Sequence, residues 1–121
     1  MKKNICVSIL VLLAAVYGFS SPRSTITLKN STGYEIFEIY VSPADSEDWG
    51  SDYLVNTTLD DGDSFTITLP RPLSEARIYD IMFVDIDDDR YCQFDISLTN
   101  GQTIEITMDD LYDTEKDYDS E

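Results

Sequence analysis

From Ser24 to Met108 apolar residues recur at every second position in short runs ended by polar turn residues, and no stretch sustains a helical period. A period of two belongs to strands that bury one face, so the chain is confined to an all-β fold. In Ser64-Phe65-Thr66-Ile67-Thr68-Leu69 the apolar side chains share one side and the hydroxyls the other. Ile26 with Leu28, and Ile104 with Ile106 and Met108, alternate in the same way. Tyr34 to Val41 is apolar on both sides, with Phe37, Ile39 and Val41 opposing Tyr34, Ile36 and Tyr40, which predicts a central strand covered on both faces. Asn30-Ser31-Thr32-Gly33 reads as the turn of a first hairpin. Asp87-Asp88-Asp89 reads as the tip of another, between Ile78–Ile86 and Tyr91–Leu98, and Asn100-Gly101 is the strongest two-residue hairpin signal in the chain. Six or seven strands about 10 to 15 residues apart predict a small antiparallel β-sandwich over residues 21–108, with an open barrel as the alternative.

The start of the chain has a different grammar. Met1-Lys2-Lys3 is followed by an apolar run from Ile5 to Tyr17 and then by the small residues Gly18 and Ser20. This is the tripartite pattern of a cleaved signal peptide, expected at 1–20. The run is shorter than the roughly 20 residues that cross a bilayer, so a retained anchor is the weaker reading. The expected destination is the periplasm or the extracellular space. At the other end, residues 109–121 carry seven acids, one lysine and no apolar pattern beyond Leu111, the composition of a disordered acidic tail.

Charge narrows the partners. The chain has 8 basic and 24 acidic residues, and loss of Lys2 and Lys3 with the signal takes the formal charge from −16 to −18. Nucleic acid and anionic membrane surfaces require clustered Lys and Arg and are excluded as partners. A cation or a basic protein surface fits.

Chemistry is thin. The chain has no histidine, which removes Ser-His-Asp and Cys-His catalysis and imidazole ligation of metals. Paired carboxylates could still serve a glycosidase-like hydrolase, yet so many acids nominate no particular pair, and the chain is expected not to be an enzyme. Of the two cysteines Cys6 leaves with the signal, and Cys92 alternates with Phe94 and Ile96, which places it in the core as a small hydrophobe. Asn30-Ser31-Thr32 and Asn56-Thr57-Thr58 match the glycosylation acceptor pattern.

Two candidate sites follow. Asp85, Asp87 and Asp89 stand at i, i+2 and i+4, the spacing that opens a calcium-binding loop. An EF-hand fails because Arg90 stands where its glycine belongs and Ile96 where its bidentate glutamate belongs. A calcium site on a loop of the sandwich is the remaining form, with Asp60, Asp61 and Asp63, or Asp45, Asp48 and Asp52, as rival clusters. No other cofactor is expected. The second candidate is aromatic: Trp49 sits with Tyr40, Tyr53 and Tyr34 around the loop Ser42–Asn56 and could form a binding platform, or fold back over the open end of the sandwich.

The stretches Asn30-Ser31-Thr32-Gly33-Tyr34, Tyr40-Val41-Ser42-Pro43 and Asp48-Trp49-Gly50, with Tyr79-Asp80-Ile81, Val84-Asp85 and Ile104 to Leu111, resemble a family of small exported bacterial proteins of uncharacterised function. The resemblance implies an exported β-domain and transfers no activity. Members of that family often carry a glycine in the acidic turn, whereas Asp87-Asp88-Asp89 has none, which weakens any shared metal role there. Two functions are thus expected: a non-enzymatic module that binds a basic protein surface, and, as the alternative, an envelope domain stabilised by calcium.

Overall fold

A computed structural model of the protein describes residues 23–112, and the expected signal peptide and residues 113–121 of the expected tail lie outside the described residues. Seven strands form in chain order: β1 Thr25–Ser31, β2 Ile36–Pro43, β3 Ser64–Thr68, β4 Ile78–Asp85, β5 Arg90–Ser97, β6 Thr103–Thr107 and β7 Leu111–Tyr112, with a 3-10 turn at Met108–Asp110. They make two sheets, β3-β1-β6 and β2-β4-β5-β7, whose inner faces enclose one core. The fold is a seven-stranded β-sandwich. It is not wholly antiparallel, because β1 and β6 run parallel, Leu28 opposite Ile104 and Asn30 opposite Ile106.

Among the described residues five of the six connections change sheet, and only β4 and β5 are joined as a hairpin. The expected first hairpin is therefore absent: β1 pairs with β3 and β6, while β2 lies in the other sheet. Asn100-Gly101 likewise turns a corner between sheets. Gly101 N donates to the Thr25 carbonyl at 2.7 Å, and Asn100 Oδ1 accepts from Thr25 N at 3.0 Å, so the dipeptide is held by β1 rather than closing a ladder of its own.

One buried amide holds the corner that β1 turns. Asn30 lies in the inward row of β1 with Ile26 and Leu28 and is fully buried. Its Nδ2 donates to the carbonyls of Tyr34 at 2.7 Å and Leu59 at 3.0 Å, and its Oδ1 accepts from Thr32 N at 3.0 Å and the Thr32 hydroxyl at 2.8 Å. The Asn30 backbone pairs with Asp63 and Gly62 of the loop before β3. Gly33 follows at φ 92°, a conformation open chiefly to glycine, and its N–H donates to Asp61 Oδ1 at 2.8 Å. Every polar atom of the amide is thus engaged, as burial demands. With both Nδ2 protons engaged inside the fold, the acceptor pattern at Asn30 has no accessible amide to modify.

Two irregularities decide what faces inward. A bulge at Ile36/Glu38 shifts the phase of β2, so Ile36 and Ile39 both reach the core although their spacing is odd. A second lies where Asp80 faces two residues of β5, Phe94 and Asp95, with Asp95 at φ 57° and its N–H donating to Asp80 Oδ1 at 2.8 Å. Tyr91 faces the core before it and Ile96 packs on the core after it. Cys92 and Phe94 therefore point away from the core, contrary to the straight alternation of the sequence, and Phe94 is 48% exposed.

The ordered chain also continues past Met108. Thr107 caps the 3-10 turn, its hydroxyl accepting from Asp109 N while Asp110 Oδ2 accepts from Thr107 N at 2.9 Å. This swings Leu111 and Tyr112 against Tyr91 and Arg90 as the edge of the larger sheet. Replacing Asn30 with alanine strips partners from buried carbonyls and an N–H, so Asn30→Ala is expected to lower the unfolding free energy by about 3 kcal/mol, whereas Thr57→Ala on an exposed loop changes it by under about 0.5 kcal/mol. Chemical denaturation of both variants checks this; equal losses would remove Asn30 from its anchoring role.

Candidate functional site

The acidic hairpin tip between β4 and β5 does gather its carboxylates. Asp85, Asp87 and Asp89 each bring an oxygen within 4.8 Å of the others, with Asp85 buried and the other two exposed. Asp85 already has partners. Its Oδ1 accepts from Asp87 N at 2.9 Å and Asp89 N at 3.0 Å, and its Oδ2 accepts from the Tyr91 hydroxyl at 2.8 Å. Burial, reinforced by the Asp85 carboxylate, holds the Tyr91 phenol well above its ordinary pKa, so it donates throughout the neutral range. Of the roughly four lone-pair positions on a carboxylate, three are occupied, leaving Asp85 one direct bond to offer a cation. The rival clusters do not assemble: among the described residues only Asp85, Asp87 and Asp89 converge. Asp61 caps Gly33, and Asp52 Oδ1 accepts from Ile39 N at 2.9 Å and Leu54 N at 2.8 Å.

That role of Asp52 builds the second candidate. With Tyr53 N donating to the Ile39 carbonyl at 2.8 Å, it clamps the loop after Pro43 along the free edge of β2. Trp49 is thereby carried over the outer face of the larger sheet. Its ring centroid lies 6.2 Å from that of Phe94, tilted by 48°, and Phe94 meets Tyr112 edge-on at 5.9 Å. Beneath them Met82 and Val84 are 8% and 3% exposed although neither belongs to the inner core. The outer face thus carries an apolar layer of its own.

Two hollows border Trp49. One, of about 470 Å³, is lined by Trp49, Met82, Arg90, Cys92, Phe94 and Tyr112. The other, of about 320 Å³, includes Trp49, Asp48, Asp52, Tyr53 and Pro70. Of the expected aromatic trio, Trp49 and Tyr53 share the smaller hollow, while Tyr40 stands on the outer face opposite Met82 and lines neither. The Tyr40 hydroxyl donates to Glu38 Oε1 at 2.6 Å, and this bond, with burial, pushes its pKa up to about 12.

Phe94, Met82 and Tyr112 escaped the sequence reading. Uninterrupted alternation put Phe94 inside, and the acidic composition around Tyr112 concealed a two-residue strand. Neither the bulge at Asp95 nor the pairing of β7 leaves a local sequence signal.

No family model matches the chain. No curated protein matches it either, so the family resemblance rests on the residues that carry it. A protein from Eubacterium rectale solved by NMR superposes with a TM-score of 0.52, covering 78% of this chain and 90% of its own, at 17% identity. At that identity the similarity is one of fold.

Cys92, half-buried on the floor of the larger hollow, has its thiol pKa raised to about 11 by burial, with Arg90 lowering it and Asp110 and Asp80 raising it. The thiol is therefore protonated at neutral pH, and the thiolate is the reactive form. Alkylation of Cys92 in the folded protein is expected to accelerate about tenfold per pH unit from 8 towards 11, and to be fast at pH 8 only after denaturation. Rapid alkylation of the native protein at pH 8, followed by mass spectrometry, would contradict this environment.

Proposed function

We propose that this protein is an exported, non-enzymatic interaction module that binds a basic protein surface. The observation that carries the reading is a conjunction on the larger sheet: an apolar outer layer separate from the core, set in a chain with a threefold excess of acidic over basic residues. An apolar patch flanked by polar groups is the usual form of a protein interaction surface, and one sign of surrounding charge selects the opposite sign in the partner. The absence of histidine and the protonated state of Cys92 agree with a module that does no nucleophilic chemistry. Export to the periplasm or beyond follows from the N-terminal pattern. Immobilised on a sensor chip, the protein is expected to bind a folded protein of high isoelectric point about tenfold or more weakly when salt rises from about 0.05 to about 0.5 M. Affinity indifferent to salt would defeat the electrostatic reading.

The convergence of Asp85, Asp87 and Asp89 favours a second reading, a hairpin tip tightened by calcium. The residues fit in part: Asp87 and Asp89 are exposed and would supply the direct carboxylate ligands, with Asp85 contributing one oxygen and water the rest. A cation bound only by the folded state raises thermal stability by mass action, so about 5 mM calcium in place of a chelator is expected to raise Tm by a few degrees, and Asp87→Asn with Asp89→Asn to abolish the rise. An unchanged Tm in the unmodified protein would dispose of calcium.

A further inference from the structure

The larger hollow and its rim specify more than a basic partner. Its walls are the rings of Trp49, Phe94 and Tyr112, and its floor is Met82 and Cys92. The three rings stand in a row, each tilted or edge-on to the next, so they do not form the flat shelf on which a sugar ring would stack. They form instead a ribbed trough. A trough of this kind suits long, narrow, apolar stems with a polar head, the shape of arginine and lysine side chains. Arginine fits better, because its planar guanidinium stacks on aromatic faces.

The charges around the trough point the same way. Asp80 precedes Met82 by two residues on the outward face of β4, and Asp95 is tied to it through its N–H. Asp110 is held beside β5 by Gln93 Nε2 at 3.0 Å. Glu38 and Arg90 lie on either side of Val84, each opposite it in the register. Asp48, exposed, adjoins Trp49. Arg90 is the single charged group of the lining. Asp80 and Asp110 both act on the Cys92 thiol at its floor, while Asp48 lines the smaller hollow on the other side of Trp49. In a chain of formal charge −16 these carboxylates favour a cation over an anion at the rim.

Resting on the reading of the protein as a module for basic surfaces, we propose that the trough between Trp49 and Tyr112 is its specificity site and that it takes arginine side chains from an extended basic segment of another protein. The stems lie against the rings and Met82, and the guanidinium groups reach Asp80 and Asp110.

Trp49 is the only tryptophan, so indole fluorescence reports on the trough directly. The protein purified as the cell exports it is titrated with a peptide of alternating arginine and glycine, and separately with an acidic peptide of the same length. The arginine peptide is expected to shift the emission saturably and the acidic peptide to leave it unchanged. Phe94→Ala removes the middle ring and no charge, at a half-exposed position outside the core, and is expected to weaken binding about tenfold with the Tm retained. Arg90→Glu is expected to tighten binding severalfold, well beyond Lys29→Glu, which makes the same change of charge on the other sheet.

Binding that ignores Phe94→Ala, and responds equally to Arg90→Glu and Lys29→Glu, would overturn the trough and leave the general reading standing. No binding of the arginine peptide even at low salt would overturn both. A concentration-dependent dimer in sedimentation, lost in Phe94→Ala, would assign the trough to a second copy of the chain and overturn the proposal.

Discussion

Asn30 is the polar group on which the sandwich turns. A chain whose connections mostly change sheet must bend sharply at each crossing, and every bend exposes backbone groups that the ladders no longer satisfy. At the first crossing one amide meets that demand for three segments at once, the end of β1, the start of β2 and the loop leading to β3. A hydrophobe at this inward position would pack, but it would take the acceptor from the Thr32 N–H and leave the Tyr34 and Leu59 carbonyls with only the Thr32 hydroxyl and the Ile36 N–H as donors. A buried N–H without an acceptor costs about as much as or more than the burial gained. The Asn-Ser-Thr-Gly sequence is thereby a structural device: amide for the corner, Thr32 hydroxyl to return a bond to it, glycine for the positive φ.

The same economy recurs at the β4–β5 tip. Asp85 occupies an inward position that would otherwise hold a hydrophobe, and it is tolerated because two backbone N–H groups and the Tyr91 hydroxyl solvate its charge. Asp52 repeats the pattern along β2, where its carboxylate covers an open sheet edge and carries the Trp49 loop into place. Several of the acids are therefore architectural. The large negative charge is in part a by-product of using carboxylates as caps for turns and bulges, Asp80 and Asp110 among them.

Much of the fold was legible. The one-sided strands around Leu28, Ile67 and Ile106 point inward as their alternation requires, and the acidic hairpin tip lies where its turn residues put it. The gathering of Asp85, Asp87 and Asp89 was legible too, since a tight turn forces close neighbours together whatever the rest of the fold does. The errors share one origin. Asn30-Gly33 and Asn100-Gly101 are sound turns, but a turn residue states only that the chain reverses and not whether it returns to the same sheet. Straight alternation assigns Phe94 to the inner face, and the bulge turns it outward, because a period of two carries no warning of an inserted residue.

The class of structure, the inward rows of β1, β3 and β6, the turn positions and the sign of the charge are all local properties of the chain. These depend on residues adjacent in the chain, where period and turn chemistry act directly. The tertiary structure alone decided the parallel pairing of β1 with β6, the phase of β2 and β5 after their bulges, and the strand that Leu111 and Tyr112 add. It also decided the meeting of Trp49, Phe94 and Tyr112, residues distant in sequence that become neighbours only when the loop beyond Pro43 and the final strand close on the same face of one sheet. Such contacts depend on the global path of the chain, which no local pattern encodes.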